Sequence, residues 1–131
     1  MFIDASALCA ILLAEADGDA YAEKIRTAEA PITSPIAIYE AVAAVSRATD
    51  GDVGHVRREV EALLRLGRVR VVAIGDAESM RAIDAFDRFG KGRHPARLNM
   101  GDCFAYACAK TQGAPLLFKG DDFSQTDVAI A

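Results

Sequence analysis

Short apolar runs alternate along the chain with segments of helical periodicity. Phe2-Ile3 reads as a short strand. Residues 6–13 read as a helix, with a second over about 18–28. Residues 31–33 read as another short strand. Ser34-Pro35 then opens a helix to about Ala48, because Ser caps and Pro fits the first helical position. Residues 52–66 are amphipathic, with Val56, Val60, Leu63 and Leu64 on one side and Gly67 as the stop. Residues 70–74 are rich in Val and Ile and are bounded by Gly75, which predicts a strand. Asp76 is placed to cap the next helix, which ends at Gly90. A Gly-, Pro- and base-rich loop follows to Leu98. Asn99 opens a helix to about Gln112, and Gly113 ends it. Leu116-Leu117-Phe118 is a strand, and residues 128–130 are a candidate for a short last one.

Strands alternating with helices predict an α/β fold in one domain over residues 1–131, with a central parallel sheet between helices. In such sheets, ligands bind beyond the carboxyl ends of the strands. The unusual polar residues stand at those ends. Asp4 directly follows the first strand. Asp121 and Asp122 follow residues 116–118 after Lys119-Gly120.

Each acidic residue has an ordinary structural explanation. Asp4 can cap the helix that starts near Ser6. Asn99 and Asp102 have capping-box spacing. Gly120-Asp121 is ordinary turn chemistry, and Asp127 also suits a turn. Glu40 is the more telling residue, as the only charge between Ile36 and Val45. A helix apolar on nearly every side is expected to be buried, and a carboxylate there needs a cation or hydrogen bonds. The nearest basic residue in that helix is Arg47, two turns on. Taken as a set, several carboxylates at one sheet edge repel unless a cation sits among them. Oxygen ligands without His or Cys favour a hard ion, Mg²⁺ or Mn²⁺. His55 and His94 lack ligand spacing.

Composition narrows this little further. Apolar residues make up 52% and charged ones 26%, which is globular composition. The net charge of −4 gives no bulk signature of nucleic-acid binding. Its distribution is uneven, with ten Lys/Arg against six Asp/Glu between Arg57 and Arg97. The three cysteines, Cys9, Cys103 and Cys108, sit among apolar neighbours without CxxC spacing and read as small core residues. No apolar run approaches the ~18 residues of a membrane span, and the first has no basic flank of the signal-peptide kind. The expected location is the cytoplasm.

The motifs together resemble those of the PIN-domain family, and more narrowly its VapC-type toxins. Met1-Phe2-Ile3-Asp4-Ala5-Ser6 is similar to the family's first acidic motif, and Thr33-Ser34-Pro35 with Glu40 to the second. Asn99-Met100-Gly101-Asp102 is similar to the third. Leu116 to Phe123 is similar to the fourth, with Thr126-Asp127 behind it. The loop from Gly90 to His94 also looks like this subgroup. The resemblance spans the chain. It implies a PIN-like three-layer α/β/α sandwich, usually dimeric, and an endoribonuclease dependent on Mg²⁺ or Mn²⁺. It also implies a VapB-type antitoxin that covers the acidic site and carries the complex to operator DNA. On this reading Asp4 and Asp102 hold the principal cation, and Glu40 and Asp122 complete the cluster. Asp121 is the alternative to Asp122, which is favoured because it directly precedes Phe123. Ser6 and Thr33 are candidates for orienting carboxylates or water. Lys91, Arg93, His94, Arg97 and Lys119 are candidates for RNA phosphate contacts.

Two other readings fit parts of the chain. A response-regulator receiver domain is also doubly wound, but it needs an acidic pair after the first strand and a mid-chain phosphoacceptor Asp, where this chain has Asp4 alone and Gly75-Asp76. A non-catalytic PIN module that only binds RNA or protein typically lacks some of the acidic residues, and this chain has all four.

Overall fold

The computed structural model describes all 131 residues. Four two-residue strands form one parallel sheet: β1 (Phe2–Ile3), β2 (Ile32–Thr33), β3 (Arg70–Val71) and β4 (Leu116–Leu117), in the order β3-β2-β1-β4. The helices are α1 (Ala5–Leu12), α2 (Gly18–Thr27), α3 (Pro35–Thr49), α4 (Val53–Leu66), α5 (Asp76–Phe89) and α6 (Met100–Thr111). A 3-10 turn spans Asp122–Gln125.

Side-chain alternation in the central strands builds two cores. Phe2, Ile32 and Leu116 face α5 and α6, together with Val72, Phe89, Leu98 and Tyr106. Ile3 and Leu117 face α1 to α4, together with Leu8, Ile25, Val45, Val56, Val60 and Leu64. Strands β1 and β4 are apolar on both faces because helices cover both. Each fully buried side chain among Phe2, Ile3, Leu116 and Leu117 contributes about 1.5–3 kcal/mol. The amphipathic face expected over residues 52–66 belongs to the second core, and Leu66 at its end stays exposed.

The order of connection fixes where a ligand can bind. From β1 the chain winds outward through β2 to β3, then crosses back through α5 and α6 to lay β4 on the other side of β1. The reversal leaves a crevice beyond the carboxyl ends of β1 and β4. Asp4 follows β1 and Asp122 follows β4 at that crevice.

Several element bounds differ from those the sequence predicts. The expected strand over residues 70–74 pairs only at Arg70–Val71, since β3 is an edge strand with one neighbour. Val72 continues it with one bond, from its N–H to the Thr33 carbonyl at 2.8 Å. Gly75, not Asp76, is the cap of α5, and its N–H donates to the Glu78 carboxylate at 2.8 Å. Residues 128–130 reduce to one parallel bridge between Leu116 and Ile130. Cys103 and Cys108 are core residues, whereas Cys9 is only half-buried. No helix is long and apolar enough to cross a membrane.

Candidate active site

A cleft of about 440 Å³ opens at the crevice beyond β1 and β4. Asp4, Glu40, Asp102 and Asp122 all line it, each from a different segment. Asp4 is buried and caps α1. Its Oδ2 accepts from the Ser6 N–H at 2.9 Å and from the Ser6 hydroxyl at 2.5 Å. The cap and the cleft position coexist because a helix starting directly after a strand puts its cap at the strand's carboxyl end. The Ser6 oxygen also accepts from the Lys119 N–H at 3.0 Å, which ties the segment after β4 to the segment after β1. Burial pushes the Asp4 carboxyl up, its Ser6 bonds oppose this, and Asp122 adds to it.

Asp102 stands in the first turn of α6 in a reciprocal cap. Its carboxylate accepts from the Asn99 N–H at 2.8 Å, and the Asn99 side chain accepts from the Asp102 N–H at 3.0 Å. Burial, with Asp4 and Asp122 as like charges, raises its carboxyl to about 6 against the pull of the Asn99 bond. Glu40 rises to about 7, through burial first and then Asp4 and Asp102. These shifts share one cause: acidic groups crowd a partly dry cleft without enough cationic charge to balance them. No three His, Cys, Asp or Glu side chains form a ready metal-ligand set as they stand.

Glu40 is a correction to the sequence reading. Helix α3 is not enclosed on nearly every side; it buries Ala37, Ala41 and Val45 and leaves Tyr39 74% exposed. Glu40, Ala43, Ala44 and Arg47 run along its cleft-facing side at three- and four-residue spacing. Arg47 is the one basic side chain on this wall, and no acidic residue pairs with it within 4 Å. Its place was readable as i+7 from Glu40. Tyr39, also on the wall, was not picked out by sequence reasoning, and Asn99 was picked out only as a cap and motif residue. Cys9 lines the cleft too, and burial, Asp4, Glu15 and Glu40 push its thiol up to about 11, which disfavours the reactive thiolate.

The other candidates divide. Asp122 opens the 3-10 turn and faces the cleft, while Asp121 caps that turn and its carbonyl accepts from the Ser124 N–H and hydroxyl. The Thr33 hydroxyl donates to the Ile3 carbonyl at 2.8 Å, so it locks β2 to β1 and orients no carboxylate. Lys91 and Arg97 share a second hollow of about 260 Å³ with Asn99, Asp102 and Asp122. Arg93 turns outward to Asp87 at 2.9 Å, over the Phe86 ring. Lys91, Arg93 and Arg97 all border a hollow of about 490 Å³ formed by this loop, and Gly92, at φ 84°, makes the turn between the first two. The His94 ring packs edge-on against Phe89 and accepts the Ala96 N–H. Lys119 is bound to Glu15 and, at 3.1 Å, to Asp17, so it is not free for a phosphate. Asp127 stands apart from the cleft, held by Tyr106, Arg88 and Lys110.

The PIN-domain profile matches residues 1–129. The chain belongs to the PIN-domain family. Among relatives of this PIN chain, a VapC ribonuclease of Rhizobium meliloti (strain 1021) is 40% identical, covering 97% of this chain and 98% of the relative. A Ribonuclease VapC of Mycolicibacterium smegmatis is 44% identical over 98% of each. Ribonuclease VapC30 of Mycobacterium tuberculosis is 41% identical over 98% of this chain and 96% of its own length. This chain is thus a VapC-type PIN domain. Its fold matches the crystal structure of VapC20 of M. tuberculosis, described as a toxin that cleaves the sarcin-ricin loop. The TM-score there is 0.77, at 16% identity over 99% of this chain and 97% of that one. A toxin–antitoxin complex from Klebsiella pneumoniae matches with TM-score 0.73 at 13% identity, over 99% and 95%.

Proposed function

We propose that this PIN domain is the toxin of a toxin–antitoxin pair and an endoribonuclease that uses Mg²⁺ or Mn²⁺. The observation that carries the reading is the convergence of Asp4, Glu40, Asp102 and Asp122 on one cleft, with Lys91 and Arg97 sharing a wall with two of them. The names of the VapC relatives support the ribonuclease, and the solved toxin–antitoxin complex supports an antitoxin partner. The donor chemistry fits a hard divalent cation: oxygen atoms only, drawn from carboxylates that burial and mutual repulsion keep unusually basic.

Asp4 and Asp102 hold the principal cation, with Glu40 and Asp122 completing the set. When bound, the cation supplies activation of water and neutralisation of charge on the scissile phosphate. Ser6 fixes the Asp4 carboxylate by its two bonds to Oδ2. Lys91 and Arg97 offset the acidic field and draw in the RNA backbone, with Arg47 on the opposite wall. Water as the nucleophile leaves a 5′-phosphate and a 3′-hydroxyl. The antitoxin, of VapB type, inhibits by covering the cleft and carries the complex to operator DNA. The toxin works as a homodimer in the cytoplasm.

The test is RNA cleavage by purified, antitoxin-free protein with Mg²⁺, with EDTA, and with Asp4→Ala alongside. Cleavage that needs the metal and disappears in the variant is the expected result. Metal-free cleavage, or cleavage that Asp4→Ala retains, overturns the mechanism. Binding of RNA without cleavage makes the chain a binding module.

A further inference from the structure

Gly101 stands in the first turn of α6, and its backbone is ordinary right-handed helix; the positive-φ glycines of this chain are Gly92, Gly113 and Gly120. The backbone therefore does not require glycine at this position, and glycine in a helix is less stable than alanine. The reason lies in space. A β-carbon placed on Gly101 runs into Glu40, and its three nearest heavy atoms are the two carboxylate oxygens and the carboxyl carbon of that residue. All three approaches are closer than real contacts allow. The obstructing group is the tip of a flexible side chain, so a β-carbon there moves Glu40 rather than the backbone.

We propose that Gly101 is a positioning residue: its missing side chain is what lets the Glu40 carboxylate cross from α3 onto the first turn of α6 and join Asp4 and Asp102 around the divalent cation. This rests on the metal-dependent reading above. It gives the glycine before Asp102 a role of its own. Asp102 brings an acid to the cleft, and Gly101 admits the acid of another helix next to it.

The test measures Mn²⁺ binding by calorimetry and melting by circular dichroism on the full chain, freed of any partner. The proteins are wild type, Gly101→Ala, Glu40→Ala and the double variant. Gly101→Ala is expected to weaken Mn²⁺ binding by about tenfold or more, the scale for losing the support of a metal ligand. In the Glu40→Ala background the same change is expected to shift affinity by less than about twofold, because there is no carboxylate left to displace. Losses that multiply in the double variant, or wild-type affinity in Gly101→Ala, overturn the proposal. If Gly101→Ala alone fails to fold, Glu40→Ala is expected to restore folding in the double variant, and a double variant that stays unfolded overturns it. Wild type that binds no Mn²⁺ sinks the cation reading itself, a result distinct from wild type that binds and a Gly101→Ala that binds equally.

Discussion

Carboxylates on two different parts of the fold meet opposite fates. Asp127 accepts from the Tyr106 hydroxyl at 2.5 Å and is flanked by Arg88 at 3.2 Å and Lys110 at 3.6 Å. Its carboxyl is held below the usual range, by the Tyr106 bond first and then by Arg88. Glu40 and Asp102 are pushed up to about 7 and about 6, by burial first and then by like charges beside them. Asp127 is therefore satisfied by the chain itself and serves the fold. Glu40 and Asp102 have no such cationic partner within the chain.

The largest effect that tests this contrast comes from Asp4→Asn. Asparagine still caps α1, so the change removes charge while keeping the fold. Ribonuclease activity is expected to fall by on the order of 10³-fold, equivalent to several kcal/mol of cation-dependent stabilisation, with little change in melting temperature. Retention of activity in a kinetic assay would falsify the role given to Asp4. Asp127→Ala is expected to do the reverse. It strips the buried Tyr106 of its acceptor and, because the Asp127 carboxylate is half-exposed, costs about 1 kcal/mol of stability. A denaturant melt should show this while turnover of the folded fraction stays near wild type.

The basic side of the cleft sharpens the comparison at a smaller scale. Lys91→Ala and Arg97→Ala are each expected to weaken RNA binding and to lower the salt slope by about one. Arg93→Ala, paired outward to Asp87, should leave that slope near wild type. Equal slopes for all three in a binding titration would show that the loop does not sort its charges as described.

The smallest effect is on pH. Glu40 and Asp102 titrate higher in the folded chain than their ordinary 4.5 and 3.8, so the folded state binds more protons between those values and about 7 and 6. Stability of the metal-free protein should fall as pH rises through that window. Asp127, shifted down, works in the opposite direction, its stabilisation being lost as pH falls through its lowered value. Melting curves from pH 4.5 to 8 in EDTA should slope downward, and Mg²⁺ should flatten them. A level profile in EDTA would remove the electrostatic argument for the cluster.

Much of this was legible in the residues. Asp4 and Asp102 could be placed because a cap motif and a strand end are both local signals. The parallel α/β arrangement was legible for the same reason, since strands and helices alternate at short range. Glu40 was picked out correctly as unusual but for the wrong surroundings. Its helix looks apolar all round, and periodicity cannot say that Tyr39 lies where no neighbour covers it. Lys91 and Arg93, two residues apart, were given the same role, yet Arg93 is paired with Asp87 while Lys91 also borders Asp102 and Asp122. Thr33 and Lys119 stand beside the right motifs, but their hydrogen bonds go to Ile3 and to Glu15 and Asp17. Only three-dimensional neighbours decide such assignments.

The strand order also sets a timetable for synthesis. Asp4 is among the first residues made and Asp122 among the later ones, and they meet only when β4 docks against β1. Until Leu116 and Leu117 have emerged, β1 has one open edge and the cleft lacks a wall. A chain still being translated can fold its earlier helices first, but it cannot complete the acidic cluster.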